Sequence, residues 1–190
     1  LRSINPRLIV VAVSGFGTEG PHRNAPAYDP IIQASAGFAA VQGQGKDSPE
    51  FFQTLICDKV TAYTICQAVT AALFARERSG EGQHIDLSMM DAGLYFLFPD
   101  GFMHETLLDD DADQSAPLSE LLYQLSPTND GAITASAATA AQQVGLLTAV
   151  DRLELFADER FNSIENIMAN LDAFRDEIAQ GVASFGTEEL

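Results

Sequence analysis

From Val60 to Ala75 the chain carries no charged residue. Ile65, Val69, Ala72 and Leu73 fall at i, i+4, i+7 and i+8, the stripe by which a helix faces a core. The pattern predicts a long buried helix opened by Asp58. It closes at Arg76-Glu77-Arg78, where cations suit the negative end of the helix dipole, and Gly80 stands ready as the left-handed residue beyond. Gln83 to Met89 alternates with period two and predicts a strand. Met90 to Phe98 predicts another helix, ended by Pro99-Asp100-Gly101.

Upstream, Leu8 to Val13 is a continuous apolar, β-branched run, as expected of a strand buried on both faces of a parallel sheet. Tyr28 lies on a loop. A short helix follows, with Asp29 as N-cap, Pro30 at the first position, Ile31 to Ala36 as body and Gly37 as stop. Residues 42–49 form a Gly-rich polar loop. Downstream, Asp109 to Pro117 is an acidic run. Leu121 to Leu125 and Ala132 to Ala137 flank Ser126-Pro127-Thr128-Asn129-Asp130-Gly131, a hairpin signal. Thr139 to Val150 predicts an Ala-rich helix. Helical spacing then runs through Ile164, Ile167, Leu171, Phe174, Ile178, Val182 and Phe185, with Asn170 a point of division into two. The first residues read as a helix tail entering a turn, and Thr187-Glu188-Glu189 reads as a helix start cut short, so a segment of a longer polypeptide is expected. The fold class is α/β, with residues 1–104 in a parallel α/β domain, 105–120 an acidic linker and 121–190 the start of a small α+β domain.

Composition narrows the chemistry. Of 190 residues, 46% are hydrophobic, enough for a packed core. Ten basic against 27 acidic residues give a net charge of −17, which excludes a phosphate-binding face for nucleic acid and gives no attraction to anionic membranes. There is no run of 18 apolar residues and no signal peptide. Cys57 and Cys66 show neither metal nor disulfide spacing and read as small core residues in a reducing, cytoplasmic setting. No metal site is expected; for the acidic run, a solvated charge cluster is preferred over a cation site because EF-hand spacing is absent.

Two phosphate-binding patterns fail on their mechanism. Gly15-Phe16-Gly17-Thr18-Glu19-Gly20 matches G-x-G-x-x-G, but Pro21 and Pro26 follow, and no helix can present its N-terminus there. Gly43-Gln44-Gly45-Lys46 lacks the P-loop spacing, and Asp47 stands where Ser or Thr is needed. Asp58 has two readings: a helix N-cap and nothing more, or a carboxylate kept ionised by free helix N–H groups and offered to a substrate.

Ser14-Gly15-Phe16-Gly17-Thr18-Glu19-Gly20-Pro21, followed by Tyr28-Asp29-Pro30-Ile31-Ile32-Gln33-Ala34, and the stretch Ala75-Arg76-Glu77-Arg78-Ser79-Gly80-Glu81-Gly82-Gln83-His84-Ile85-Asp86-Leu87-Ser88-Met89-Met90-Asp91-Ala92 resemble the family III CoA-transferases. The resemblance extends through Tyr123 to Ala137 and Leu155 to Phe161. It implies a Rossmann-like large domain, a smaller second domain, an interlocked homodimer when full length, and a chain about twice this long. It also implies that Asp58 is the nucleophile: its position before the R-x-G-x-G-Q motif is the family's. The implied reaction moves coenzyme A between an acyl-CoA and a carboxylic acid acceptor through an aspartyl mixed anhydride and an enzyme–CoA thioester, with no tightly bound cofactor and the CoA thioester as substrate.

The resemblance further places Tyr28 and Met89 at the substrate and CoA site. Racemases of the same superfamily carry His where Tyr28 stands, and Tyr is too weak an acid to shuttle protons easily near neutral pH. Each residue has a plainer reading, as a loop aromatic and a core methionine. Lys59-Val60-Thr61-Ala62-Tyr63 is bulkier than the small pair usual after the family's Asp, and the family's Gly-rich closing loop would lie beyond this segment. The 190 residues alone are therefore expected to be inactive. Two other functions remain open at this point: an α-methylacyl-CoA racemase or epimerase, and a non-catalytic CoA-binding or structural fragment.

Overall fold

The structure is a computed structural model that describes residues 1–43, 48–109, 124–137 and 139–190. It divides into two compact units, Leu1–Ser119 and Glu120–Leu190. The acidic run from residue 110 and the stretch 44–47 lie outside the described residues.

The first unit is mixed α/β. Strand β1 (Val10–Ser14) pairs in parallel with β2 (His84–Ser88), in the register Val10 with His84 through Ser14 with Ser88. Between them run α1 (Asp29–Ser35), α2 (Phe38–Gln42) and α3 (Ile56–Ser79), and α4 (Met89–Gly101) follows β2. As expected, no helix follows the glycines at 15–20. Helix α2 escapes the sequence pattern because Gly37 turns the chain at φ 87° and restarts it rather than only stopping α1. Phe38 anchors this restart: it is buried, meets Phe52 edge-on and stacks on Phe96, each at 6.1 Å between ring centroids. Ile32, Ala36, Cys57 and Leu97 complete the core around it.

The R-x-G-x-G segment has a structural reason. Gly80 ends α3 at φ 78°, in the left-handed region glycine favours. A Cβ on Gly82 would collide with the Leu8 carbonyl, so only glycine lets the chain pass this close to the start of β1. Gly82 N–H donates to the Pro6 carbonyl at 2.8 Å. Arg7 and Arg2 donate to the carbonyls of Gly80 and Gly82.

Several expectations are corrected. β1 is not buried on both faces, since Val13 is 47% exposed. α3 is not a buried helix. Its inward side holds Cys57, Val60, Thr61 and Ala72 buried and Thr64, Ile65, Ala68, Val69 and Ala75 half-buried. Of the expected stripe, Ile65, Val69 and Ala72 turn inward and Leu73 does not, while Tyr63 and Phe74 are also exposed. A helix apolar on all sides offers several stripes of equal spacing, and the one facing α1 and α4 is set by tertiary packing. Cys66 is exposed, not core. α4 runs through Pro99 to Gly101 instead of stopping before it.

The second unit is a small helical body carrying one hairpin. Ser126–Pro127 (β3) and Ala132–Ile133 (β4) pair antiparallel, so a hairpin forms. However, β3 falls on the first two residues expected in the turn, residues 124–125 are not strand, 121–123 lie outside the described residues, and β4 is shorter than Ala132 to Ala137. Helix α5 (Ala140–Ala149) opens with a capping box: Thr139 Oγ1 accepts from Gln142 N–H, and Gln142 Oε1 accepts from Thr139 N–H. Helices α6 (Ile164–Ala169) and α7 (Leu171–Val182) divide at Asn170, whose side chain donates to the Asn166 carbonyl at 2.9 Å. Leu147, Val150, Leu155, Phe161, Ile167, Ile178 and Val182 form the core. No helix among the described residues is long and apolar enough to cross a membrane.

Candidate functional site

Asp58 lies in the first turn of α3 but does not cap it. The N-cap is Leu55, whose side chain cannot accept a hydrogen bond, and Asp58 is the third helical residue. The N–H groups of a helix's first turn lack intrahelical acceptors, and an N-cap side chain usually takes one from the second or third residue. Here that task falls to Asp29, 29 residues earlier. Asp29 Oδ2 accepts the Asp58 N–H at 2.9 Å. Asp29 is likewise not the N-cap of α1: Tyr28 is, through its backbone carbonyl, which accepts from Ile31 and Ile32.

Asp29 is 3% exposed and Gln33 2% exposed. Asp29 Oδ1 accepts from Gln33 Nε2 at 2.6 Å. The same Nε2 donates to the carbonyls of Phe52 at 3.3 Å and Thr54 at 3.1 Å, and Gln33 Oε1 accepts the Phe52 N–H at 3.0 Å. A buried carboxylate and amide thus tie α1, the approach segment at residues 52–54 and the start of α3 into one unit. The Asp58 side chain itself is exposed. Lys59 Nζ, its neighbour, donates to Thr54 Oγ1 at 2.6 Å. Burial, then the charges of Asp29 and Asp58, push the buried Cys57 thiol up to about 12, so Cys57 is neutral and inert beside them.

The three expected site residues border this network. Tyr28, 71% exposed, immediately precedes the carboxylate that holds Asp58. Met89 is not the last strand residue but the first of α4, with Ser88 as N-cap accepting the Asp91 N–H at 2.9 Å. Met89 is half-buried and packs against the cluster containing Cys57. An open crevice of about 510 Å³ lies at the carboxyl ends of β1 and β2, lined by Ser14, Phe16, Gly17, Thr18, Ser88 and Asp91 among others. Tyr28, Asp58 and Met89 do not line it. A second, more apolar groove of about 550 Å³ between α3 and α4 begins at Val60, two residues beyond Asp58. Among the described residues no group of three or more His, Cys, Asp or Glu could hold a metal ion. The Asp29–Gln33 pair is the part of the site that sequence reading missed; its only local signal is Asp-x-x-x-Gln across one helical turn.

The sequence model of CoA-transferase family III matches residues 1–190, the whole chain. The chain belongs to this family. Over 201 residues this family III chain is 29% identical to the succinyl-CoA:mesaconate CoA-transferase of Haloarcula hispanica, covering 100% of itself and 49% of that relative. Over 98 residues it is 43% identical to the acetyl-CoA:oxalate CoA-transferase of Acetobacter aceti, covering 51% of itself and 25% of that relative. Its fold matches the crystal structure of Rv3272 from Mycobacterium tuberculosis with a TM-score of 0.81 at 25% identity, over 99% of this chain and 49% of that one. The chain thus spans at most about half the length of these relatives.

Proposed function

We propose that this family III chain is part of an enzyme that transfers coenzyme A from an acyl-CoA to a carboxylic acid, with Asp58 as nucleophile. The observation that carries the reading is an exposed carboxylate on the first turn of a 24-residue helix, near the positive end of its dipole, on a backbone held by a buried acid. That setting offers a carboxylate that a substrate can reach.

Asp58 Oδ attacks the thioester carbonyl carbon. The C–S bond breaks, CoA leaves as thiolate, and a mixed anhydride remains. The thiolate then attacks the aspartyl carbonyl carbon and displaces the donor acid as its carboxylate, giving an aspartyl–CoA thioester. The acceptor carboxylate attacks that carbonyl and expels the thiolate, forming a second anhydride. The thiolate finally attacks the acceptor acyl carbon, releasing the new acyl-CoA and restoring the Asp58 carboxylate. No proton or electron is gained or lost over the cycle. Tyr28, exposed beside Asp29, and Met89, at the head of α4, are the residues we assign to substrate and CoA contact.

The names of the relatives supply the first substrate pairs to try: acetyl-CoA with oxalate and succinyl-CoA with mesaconate. Full-length enzyme given acyl-CoA forms a hydroxylamine-sensitive adduct on Asp58, located by peptide mass spectrometry. Undiminished transfer by Asp58→Asn would sink the reading. The same proposal makes the full-length enzyme a cytoplasmic interlocked homodimer whose large domain completes a Rossmann-like sheet, and makes residues 1–190 inactive alone. The exposed aromatics Tyr63, Phe74 and Tyr95 support this need for further chain or a partner. Sedimentation of full-length protein at monomer mass removes the dimer, and turnover by residues 1–190 removes the inactivity.

A further inference from the structure

We propose that Asp29 is a positioning residue for transfer, holding the Asp58 backbone so that the Asp58 carboxylate meets the thioester carbonyl; this rests on the reading of Asp58 as nucleophile. Hydrogen-bond capacity decides which group can stand at position 29. Asp29 Oδ2 faces the Asp58 N–H, a backbone donor that cannot be reversed. Asp29 Oδ1 faces Gln33 Nε2. The Gln33 amide cannot turn over, because its oxygen takes the Phe52 N–H and its nitrogen serves the Phe52 and Thr54 carbonyls. Both oxygens of residue 29 must therefore accept, and only a carboxylate does so at this length. An Asn there sets an NH2 against one of the two donors, inside a site with almost no access to water.

The consequence falls on the geometry of attack. Leu55 gives α3 no side-chain cap, and the bond from Asp29 is what anchors the third helical residue across chain segments. The side chain of Asp58 leaves from the Cα next to that anchored nitrogen. If the anchor goes, the first turn is free to fray, and small errors in aim cost heavily in a reaction that depends on orientation. An error of aim acts on the attack step, so the loss belongs in kcat rather than KM.

The test compares full-length wild type, Asp29→Asn and Asp29→Glu, using acetyl-CoA with oxalate or succinyl-CoA with mesaconate. Asp29→Glu keeps two accepting oxygens for the Asp58 N–H and Gln33 Nε2 on an arm one methylene longer, so it holds the turn but moves the Asp58 backbone. Folded Asp29→Asn is expected to lose at least tenfold in kcat, with KM for acyl-CoA within about twofold. The single-turnover rate of adduct formation on Asp58 should fall by the same factor, and hydrogen exchange across residues 55–60 should quicken. Asp29→Glu should lose less kcat than Asp29→Asn. An unchanged adduct rate in folded Asp29→Asn, or a loss wholly in KM, overturns the inference and leaves Asp58 as nucleophile. If Asp29→Asn does not fold, Asp29→Glu decides: a fall of threefold or more in the single-turnover adduct rate with KM within about twofold supports the inference, and any smaller fall, or a loss in KM, overturns it. Wild-type transfer with no adduct on Asp58 removes the nucleophile and this inference together.

Discussion

Two carboxylates in this chain perform the same local task in different surroundings. In the first unit, Asp29 takes the N–H of Asp58 from 29 residues away, and its second oxygen is held by Gln33. In the second, Asp130 takes the N–H and hydroxyl of Thr187, 57 residues away, each at 2.7 Å. Asn129 N–H reinforces this tether by donating to the Phe185 carbonyl. Both are long-range caps of a chain turn. Asp29 is shut away from water, however, while Asp130 is exposed. The difference teaches where the energy lies. Water can replace any partner Asp130 loses, but the donors around Asp29 have no such substitute, and an unsatisfied buried donor costs far more than a hydrogen bond gains.

The largest expected effect is therefore Asp29→Ala, which orphans the Asp58 N–H in a buried site, while Gln33 Nε2 keeps the Phe52 and Thr54 carbonyls. A loss of about 2–3 kcal/mol in urea unfolding is expected. A loss no greater than that of Asp130→Ala would break the contrast between the two acids. Asp58→Ala sharpens it from the other side. Among the described residues its exposed side chain makes no hydrogen bond or ion pair, so stability should stay within about 0.5 kcal/mol of wild type while transfer by full-length enzyme is abolished. A large stability loss there would mean that Asp58 is structural.

Next comes the alkaline limb of stability. Cys57 sits beside Asp29 with its thiol raised from 9.0 to about 12. The unfolded chain ionises first as pH rises, so the contribution is complete below pH 9 and is lost between 9 and 12. The slope is at most about 1.4 kcal/mol per pH unit. Unfolding of Cys57→Ala followed over that range should lack this slope. In native protein below pH 9, maleimide should label exposed Cys66 and leave Cys57 untouched until unfolding; equal rates would contradict the burial.

The contrast also explains what the sequence could and could not disclose. The C-terminal end of α3, the start of α5, the break at Asn170 and the existence of a hairpin within 126–133 were legible because each rests on neighbours in sequence: Gly80, Thr139 with Gln142, Asn170 with Asn166, and a run of turn residues. The acid at position 58 stands out in the sequence only through its place before Arg78-Ser79-Gly80-Glu81-Gly82-Gln83, and its chemical role is a proposal; its register in the helix differs from the expected N-cap by three residues. An Asp near a helix start reads as an N-cap by type, whereas the cap here arrives from α1. The true partner of Asp29 is fixed only when α1 packs on α3, and no local pattern encodes that meeting. The face of α3 was legible only in part: Ile65, Val69 and Ala72 turn inward but Leu73 does not, because alanines and apolar residues on every side leave the exact stripe to whatever packs against it.

The smallest effect lies at the acid end and belongs to Asp130. Its pKa is held below the ordinary carboxylate value of 3.8, first by the Thr187 hydroxyl and then by the Thr187 N–H. Thr128 adds a weaker donation at 3.2 Å. A depressed pKa means that the folded tether prefers the ionised acid, so its contribution is present above the unfolded value and fades as pH falls through the folded one. The fading begins only below about pH 4 and touches a surface contact, so it should appear as local opening and not as global unfolding. Amide exchange at Thr187 and Asn129 should quicken below that pH, with the α5 and α7 core amides unchanged. In Asp130→Asn the Thr187 amide should exchange at the faster rate at every pH, because a neutral amide accepts less strongly than a carboxylate. If the Thr187 exchange rate keeps its pH step in Asp130→Asn, a different carboxylate governs the tether, and the parallel with Asp29 fails.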